Sequence, residues 1–197
     1  MVAAGRVPPR DPSEWSEEIR PLLDATVAKT RTLEAEAHHD QPVAILRVLA
    51  NHPRSIEPFL AWANFVAFSD LSRRNQELLA LRTVWLRQSE FEYGHHVQYA
   101  RRAGLSDREI EMVREGPAAD GWDDTDRSLL QAADELFERT QISDATWASL
   151  AGHFSTTELI EIPIIVGQYS MLSMIANGLG VVLEEGYQEL PSPVAGQ

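Results

Sequence analysis

Cysteine is the most informative absence in this sequence, because none of the 197 residues is one. Without a thiol, the chain forms no disulfide, has no thiolate nucleophile and offers no thiolate ligand to a metal ion. Redox chemistry at cysteine sulfur is therefore excluded before any motif is considered. Any chemistry has to come from other side chains, such as carboxylates and imidazoles.

Positive charge is also scarce, since 17 Lys and Arg residues accompany 30 Asp and Glu residues and the formal net charge is -13. Nucleic-acid binding takes much of its affinity from clustered Lys and Arg at phosphates. Here the basic residues, such as Arg73, Arg74, Arg101 and Arg102, stand among acidic ones. We therefore expect neither a nucleic acid nor a membrane surface as a partner.

A third absence is an apolar run long enough to cross a bilayer, and residues 1–10 lack the apolar stretch of a signal peptide. The composition, 44% hydrophobic and 24% charged, is that of a folded globular protein. These features predict a chain that stays out of the membrane and resides in the cytoplasm.

Helical spacing of apolar residues recurs along the chain, and few stretches alternate as a half-buried strand would. The sequence predicts an all-α protein with one domain over residues 13–190, between mobile tails at 1–12 and 191–197. The predicted helices are 13–32, 43–50, 56–68, 72–88, 90–103, 106–114, 126–140, 143–153 and 155–183.

Prolines and capping residues refine these helix boundaries. Pro21 marks a break or a new start in the first helix, and Pro163 predicts a kink or a fresh start inside the last one. Ser106 and Ser155 each precede a Glu by three residues, which is the pattern of a capping box. Helices are therefore expected to begin at these two serines.

The densest cluster of reactive side chains lies in the middle of the chain. Glu77 opens one predicted helix, and Ser89, Glu92 and His96 follow on the next, which ends before Gly104-Leu105-Ser106. This order resembles the carboxymuconolactone decarboxylase and alkyl hydroperoxidase D family. In that family a Glu-bearing helix precedes a Cys-x-x-Cys-x-x-x-His segment and a Gly-Leu-Ser helix start.

The resemblance runs from about Ala44 to Gly186 and carries several expectations. It implies a compact multi-helix fold of the alkyl hydroperoxidase D type. It also implies assembly into homotrimers or homohexamers. In the closing segment, Gly167 to Met174, Ser170 stands where relatives carry a histidine, so no contribution from this helix to the site is expected.

Aligned on the family pattern, Ser89 and Glu92 stand in place of the two cysteines, whereas Glu77 and His96 match the family's acid and histidine. Peroxide reduction in this family needs a thiolate to attack oxygen and a second thiol to resolve the product. The peroxidase branch is therefore excluded. The resemblance to the decarboxylase branch implies catalysis by Glu77, Glu92 and His96.

Elementary chemistry agrees with this assignment. Glu92 and His96 are four residues apart, so a helix places both side chains on one face. A carboxylate raises the pKa of a neighbouring imidazole, and burial raises the pKa of a carboxyl, so the pair can transfer protons near neutral pH. We expect neither cofactor nor metal, and we expect Trp85, Tyr93 and His95 to contact the substrate.

Structural interpretations of the same residues stay open. Ser89 and Glu92 fit a capping box, in which Glu92 only secures a helix start. Glu77 lies near a helix start, where acids are favoured, and fits a solvated residue. His96 fits a core histidine, and His95 a surface one.

Two histidine clusters also invite a metal interpretation. Glu92, His95 and His96 offer oxygen and nitrogen ligands, but the His-Glu-x-x-His order of zinc proteases is absent. Glu34 with His38-His39 lies at the end of a charged helix and fits a solvated helix end better. The sequence therefore predicts no metal site.

Two functions follow from the sequence. The first is a small-molecule enzyme that performs cofactor-free decarboxylation, isomerisation or lactone chemistry. The alternative is a non-catalytic helical oligomer that binds a small ligand or a partner protein. A groove without any carboxylate or imidazole would favour the alternative, because proton transfer needs such groups.

Overall fold

A computed structural model describes residues 5–33 and 42–192, with the side chains of residues 28–33 left out, and this part of the chain contains α-helices but no β-strand. The prediction of an all-α fold is thereby confirmed. Two short 3₁₀ turns, Pro12–Glu14 and Pro53–Ser55, precede longer helices. The α-helices are α1 (Arg20–Leu33), α2 (Ala44–Leu49), α3 (Ile56–Ala67), α4 (Arg73–Leu86), α5 (Glu90–Arg102), α6 (Asp107–Glu115), α7 (Asp124–Arg139), α8 (Asp144–Ala151) and α9 (Thr156–Leu179).

Helix starts agree with the capping signals in the sequence. α6 and α9 each begin with a complete capping box, formed by Ser106 and Ser155 with the Glu three residues on. α1 begins at Arg20 rather than at residue 13, with Pro21 in its first turn. Proline is tolerated there because the first backbone N–H groups of a helix have no intrahelical acceptor.

The prediction of a fresh start at Pro163 is wrong, because α9 runs without interruption from Thr156 to Leu179. A proline removes only one backbone donor, and the flanking Ile162 and Ile165 are fully buried and hold the helix in the core. The expectation that no apolar run is long enough to cross a bilayer is also wrong, because α9 is long and apolar enough by length and composition. However, 56% of its apolar window is buried inside the protein, as in a core helix.

α4 is the central helix of the fold and packs against α5, α6, α7 and α9. Ten consecutive residues of α4, from Gln76 to Trp85, are buried. Such a helix needs internal partners for its polar side chains. Arg82 therefore forms an ion pair with Asp134 and donates a hydrogen bond to the carbonyl oxygen of Val113.

A second apolar cluster joins α1 and α2 to one side of α5 and α9, through residues such as Leu23, Ile45, Phe91 and Leu172. The N-terminal segment also packs against this region. The Val7 N–H donates to the carbonyl of Leu179, and the Arg10 N–H donates to that of Arg47. Part of the predicted tail over residues 1–12 is thus hydrogen-bonded to the helical body.

Candidate active site

A cavity of about 510 Å³ lies among α2, α3, α4, α5 and α9. Much of its wall is apolar, and α3 contributes Phe59, Leu60 and Val66 to it. Charged and titratable side chains also line this cavity: Arg73, Glu77, Glu92, His95, His96 and Arg102. An apolar cavity with a few converging polar groups is the usual form of a small-molecule site.

Three of the predicted site residues meet at this cavity. His96 Nδ1 lies 2.7 Å from Glu77 Oε2, and His96 Nε2 lies 3.8 Å from Glu92 Oε2. Glu77 is 7% exposed, and Glu92 and His96 are each 4% exposed. The interpretation of Glu77 as a solvated residue is therefore wrong.

The helices explain why these side chains converge. Ser72 caps α4 by accepting a hydrogen bond from the Asn75 N–H, so Glu77 falls in the second turn of α4, within its buried stretch. Glu92 and His96 are one turn apart on α5, which packs against α4. Helical geometry places both on one face, directed towards Glu77.

Burial and charge set the protonation of this group. Burial raises the pKa of Glu92 from its ordinary 4.5 to about 7, against the opposing effect of His96. For His96, burial favours the neutral ring, but Glu77 and Glu92 outweigh it, and the pKa is raised. A carboxyl whose pKa is raised to about 7, beside an imidazole whose pKa is also raised, is suited to general acid and base catalysis.

The capping-box interpretation of Glu92 is wrong. Ser89 is the N-cap residue of α5, but its side chain forms no capping hydrogen bond. Its hydroxyl is buried and has no partner within the described part of the chain. The Glu92 carboxylate is instead turned towards His96, so it serves the cavity and does not secure the helix start.

His95 is buried as well, with 4% of its surface exposed, so its interpretation as a surface histidine is wrong. His95 Nε2 lies 2.9 Å from Glu184 Oε2, and the Ala44 N–H donates to the other oxygen of Glu184 across 2.7 Å. The ring packs 4.1 Å from that of Tyr187. Glu184, which follows His95 by 89 residues, thus connects His95 to the start of α2.

Trp85 and Tyr93 do not line this cavity, so their expected place in its wall is corrected. Both belong to the main apolar core, with ring centroids 6.2 Å apart, and the Arg114 guanidinium lies 5.0 Å from the Trp85 ring. Tyr93 is one position from Glu92, which turns it about 100° around α5. This rotation directs it into the core and away from the cavity.

The expectation that this closing helix contributes nothing is wrong, because Gln168, Tyr169 and Leu172 of α9 line the cavity. Tyr169 packs edge-on against His96, with ring centroids 4.3 Å apart, and Gln168 accepts a hydrogen bond from Trp62 Nε1. Ser170, which stands where relatives carry a histidine, does not line the cavity, and its hydroxyl accepts from Arg87 Nε. The resemblance to the family drew attention to position 170, whereas the neighbouring side chains at positions 168 and 169 are the ones that reach the cavity.

Within residues 5–33 and 42–192, no group of three or more His, Asp and Glu residues is arranged to hold a metal ion. This applies to the cluster of Glu92, His95 and His96. Glu34 and His38-His39, the second candidate cluster, lie outside the described residues.

Residues 57–135 match the carboxymuconolactone decarboxylase family, and this stretch contains Glu77, Glu92 and His96. The chain is similar to this family over that stretch. No curated protein sequence matches the chain.

Several solved structures share the fold of this chain. A peroxidase-related protein from Ralstonia eutropha with an alkylhydroperoxidase AhpD core superimposes with a TM-score of 0.75 at 17% identity, over 92% of this chain and 93% of its own. A protein of unknown function from Agrobacterium tumefaciens, assigned to the AhpD antioxidant group, gives 0.65 at 24% identity, over 69% and 94%. The debrominase Bmp8, as a cysteine-to-alanine variant in complex with 2,3,4-tribromopyrrole, gives 0.74 at 15% identity, over 94% and 95%.

Proposed function

We propose that this protein is a decarboxylase-like small-molecule enzyme that uses Glu77, Glu92 and His96 for proton transfer without a cofactor. The observation that carries the proposal is one buried imidazole between two carboxylates in the wall of a cavity of about 510 Å³. The reaction is decarboxylation, or a related isomerisation or lactone reaction. We assign the enzyme to the cytoplasm.

The chemical step follows from the protonation of the site. In a decarboxylation, the bond between carbon and the carboxylate breaks, carbon dioxide leaves, and the electron pair is delocalised onto a neighbouring carbonyl oxygen. Glu92, protonated in part at neutral pH because its pKa is about 7, gives its proton to the carbon and regains one from solvent. His96 stabilises the carboxylate that remains, and Glu77 orients His96.

Several features support a small carboxylate-bearing substrate. Arg73 and Arg102 line the cavity and are exposed, so they supply positive charge where an acid would enter. A cavity of about 510 Å³ is of the size that small-molecule sites have. The debrominase relative binds a small flat ring, 2,3,4-tribromopyrrole, on the same fold.

The non-catalytic alternative expects a groove without carboxylate or imidazole groups. The cavity instead carries Glu77, Glu92, His95 and His96. Buried titratable groups are costly to keep in a site that only binds, because each must be desolvated. This cost favours the enzyme over a ligand-binding oligomer.

Turnover of carboxymuconolactone and of a panel of related lactone acids tests the proposal. Carbon dioxide release and deuterium uptake by the product in D₂O are followed by NMR. Glu92→Gln and His96→Asn should each lower kcat by about 100-fold or more. Glu90→Gln, an exposed acid in the first turn of the same helix, should leave it unchanged. Turnover of none of these acids, or turnover unchanged in both site variants, contradicts the proposal.

We also propose that the protein is a homotrimer or homohexamer. Several large apolar side chains on α3, directly after it and on α9 are exposed on the single chain, and a second copy would cover them: Trp62, Phe65, Phe68, Ile160, Met171 and Met174. Light scattering should give the mass of three or six chains, and Met174→Asp should lower it. A monomeric mass for the unaltered protein contradicts this assembly.

A further inference from the structure

α9 supplies the cavity with two hydrogen-bond donors that have no role in the proton transfer proposed above. We propose that the Gln168 side-chain amide and the Tyr169 hydroxyl form an oxyanion-binding pair, which stabilises negative charge on a carbonyl oxygen of the substrate. The inference rests on the proposed function and adds the substrate class to it. That class is a compound whose reacting carbon is next to a carbonyl group, such as a lactone, ester or ketone.

The orientation of Gln168 is fixed by its neighbour. Trp62 Nε1 lies 2.7 Å from Gln168 Oε1, and an indole N–H can only donate, so this position must be held by the amide oxygen. The amide nitrogen, with two N–H donors, therefore faces away from Trp62. Gln168 is 4% exposed and lines the cavity, and no group in the described part of the chain accepts from its Nε2.

Tyr169 belongs to the same site because its ring packs edge-on against His96. Burial, together with the charges of Glu77 and Glu92, raises the pKa of Tyr169 well above its ordinary 10.0. The phenol thus stays protonated and acts as a donor throughout the neutral range. Within the described residues, the hydroxyl has no hydrogen-bond acceptor.

The chemistry of the proposed reaction requires such donors. When an electron pair moves onto a carbonyl oxygen, that oxygen becomes negative close to Glu77 and Glu92, whose own charges disfavour it. Neutral donors held on a rigid helix offset this repulsion and need no rearrangement during the reaction. Glu92 and His96 transfer the proton at carbon, whereas Gln168 and Tyr169 stabilise the negative charge on oxygen.

Binding of 4-nitrophenolate, an aromatic oxyanion with a visible absorbance, tests this division of roles without any turnover. The protein should bind the phenolate, and Tyr169→Phe should weaken its affinity by about tenfold to a hundredfold, the effect of losing one hydrogen bond to a charged group. Gln168→Glu keeps the oxygen that accepts from Trp62 but removes both donors, so it should weaken the affinity further.

Two controls separate the oxyanion effect from general damage. Tyr93→Phe removes a buried hydroxyl that lies outside the cavity and should leave phenolate binding unchanged. Nitrobenzene, which has the same ring without the oxyanion, should bind equally to the unaltered protein and to Tyr169→Phe. Circular dichroism verifies that each variant is folded.

The inference is overturned if the unaltered protein binds no phenolate, or if Tyr169→Phe binds it as tightly as the unaltered protein does. Failure of the proposed function looks different. In that case no lactone acid is turned over, while phenolate binding and its loss in Tyr169→Phe are retained. The binding experiment therefore tests the donor pair independently of the acid and base residues.

Discussion

His96 lies between two carboxylates at unequal distances, with Nδ1 at 2.7 Å from Glu77 and Nε2 at 3.8 Å from Glu92. The shorter contact is a hydrogen bond, in which Glu77 accepts the Nδ1 proton and fixes the tautomer and the ring orientation. The longer contact leaves Nε2 able to exchange a proton with Glu92 or with a substrate. In the proposed mechanism, Glu77 is therefore a positioning residue and Glu92 is the acid that meets the substrate.

This division predicts the effect of Glu77→Gln on His96. The change removes the charge and the strongest hydrogen bond that raise the His96 pKa, so that pKa should fall, because burial alone lowers it. NMR titration of the imidazole nitrogens measures the shift. Glu90→Gln, on the surface of the same helix, should leave the His96 pKa unchanged. An unchanged pKa in Glu77→Gln would contradict the positioning role.

Glu92 should make the stability of the protein depend on pH. Its pKa is raised by burial from 4.5 to about 7, so the folded protein holds this proton more tightly than the unfolded chain does. The stabilisation is fully present below pH 4.5 and is lost as the pH rises through about 7. The Gln side chain of the Glu92→Gln variant does not titrate and loses no such stabilisation. As the pH rises across this range, the free energy of unfolding of the variant should therefore increase relative to that of the unaltered protein by on the order of 3 kcal/mol.

Urea unfolding at a series of pH values measures this difference. Glu90→Gln is the matched control, because it removes an acid of the same helix that is exposed to solvent. The difference in free energy of unfolding between Glu90→Gln and the unaltered protein should not change with pH. A flat difference for Glu92→Gln as well would mean that the carboxyl is solvated, and the assignment of Glu92 as a neutral-range acid would be wrong.

The helices could be predicted largely because their signals are local. Apolar spacing and the capping boxes at Ser106 and Ser155 depend on neighbours three or four residues away, and the structure agrees with them. The interruption at Pro163 was wrong because a tertiary effect outweighs a local one. Burial of α9 on several sides holds the helix together where an isolated one would be weakened.

The site was predictable only in part for the same reason. Glu92 and His96 form a pair because of spacing on one helix, whereas the contact of Glu184 with His95 spans 89 residues and leaves no local pattern. Trp85 and Tyr93 are close to the motif in sequence but face the core. Closeness along a helix does not give the direction of a side chain, since each residue turns it by about 100°.

Glu184 should stabilise the start of α2. The N-cap residue of α2 forms no side-chain cap, and Glu184 accepts the Ala44 N–H instead, while also pairing with His95. Glu184→Ala should lower the free energy of unfolding by about 1–3 kcal/mol and speed hydrogen exchange in α2, because a backbone donor loses its acceptor. Glu185→Ala, an exposed neighbour, is the control and should change neither.

The pH dependence of this contact should have the opposite sign to that of Glu92. Burial opposes ionisation, but hydrogen bonds from His95 and Ala44 outweigh it and lower the pKa of Glu184 below 4.5. The stabilisation is therefore present above pH 4.5 and is lost as the pH falls through the lowered pKa. If Glu184→Ala destabilises the protein equally at all pH values, the effect comes from packing and the ionic contact is unimportant.

Gly94 should be required for the C-terminal segment to pack beside His95. A Cβ at position 94 would lie 2.7 Å from Leu183 Cδ1 and 3.0 Å from the carbonyl oxygen of Gln188, and only the first of these atoms can move easily. Gly94→Ala should lower the free energy of unfolding by about 1–3 kcal/mol, the usual cost of overpacking. Gly167→Ala, in a helix with no atom within 4 Å, should instead stabilise the protein by about 0.5–1 kcal/mol.

A double substitution separates the two clashes at Gly94. Leu183→Ala removes the side-chain clash but leaves the backbone one, so Gly94→Ala combined with Leu183→Ala should cost less than the sum of the single changes, yet more than Leu183→Ala alone. Urea unfolding of the four proteins measures this coupling. Strict additivity would mean that the cost of Gly94→Ala does not come from the contact with Leu183.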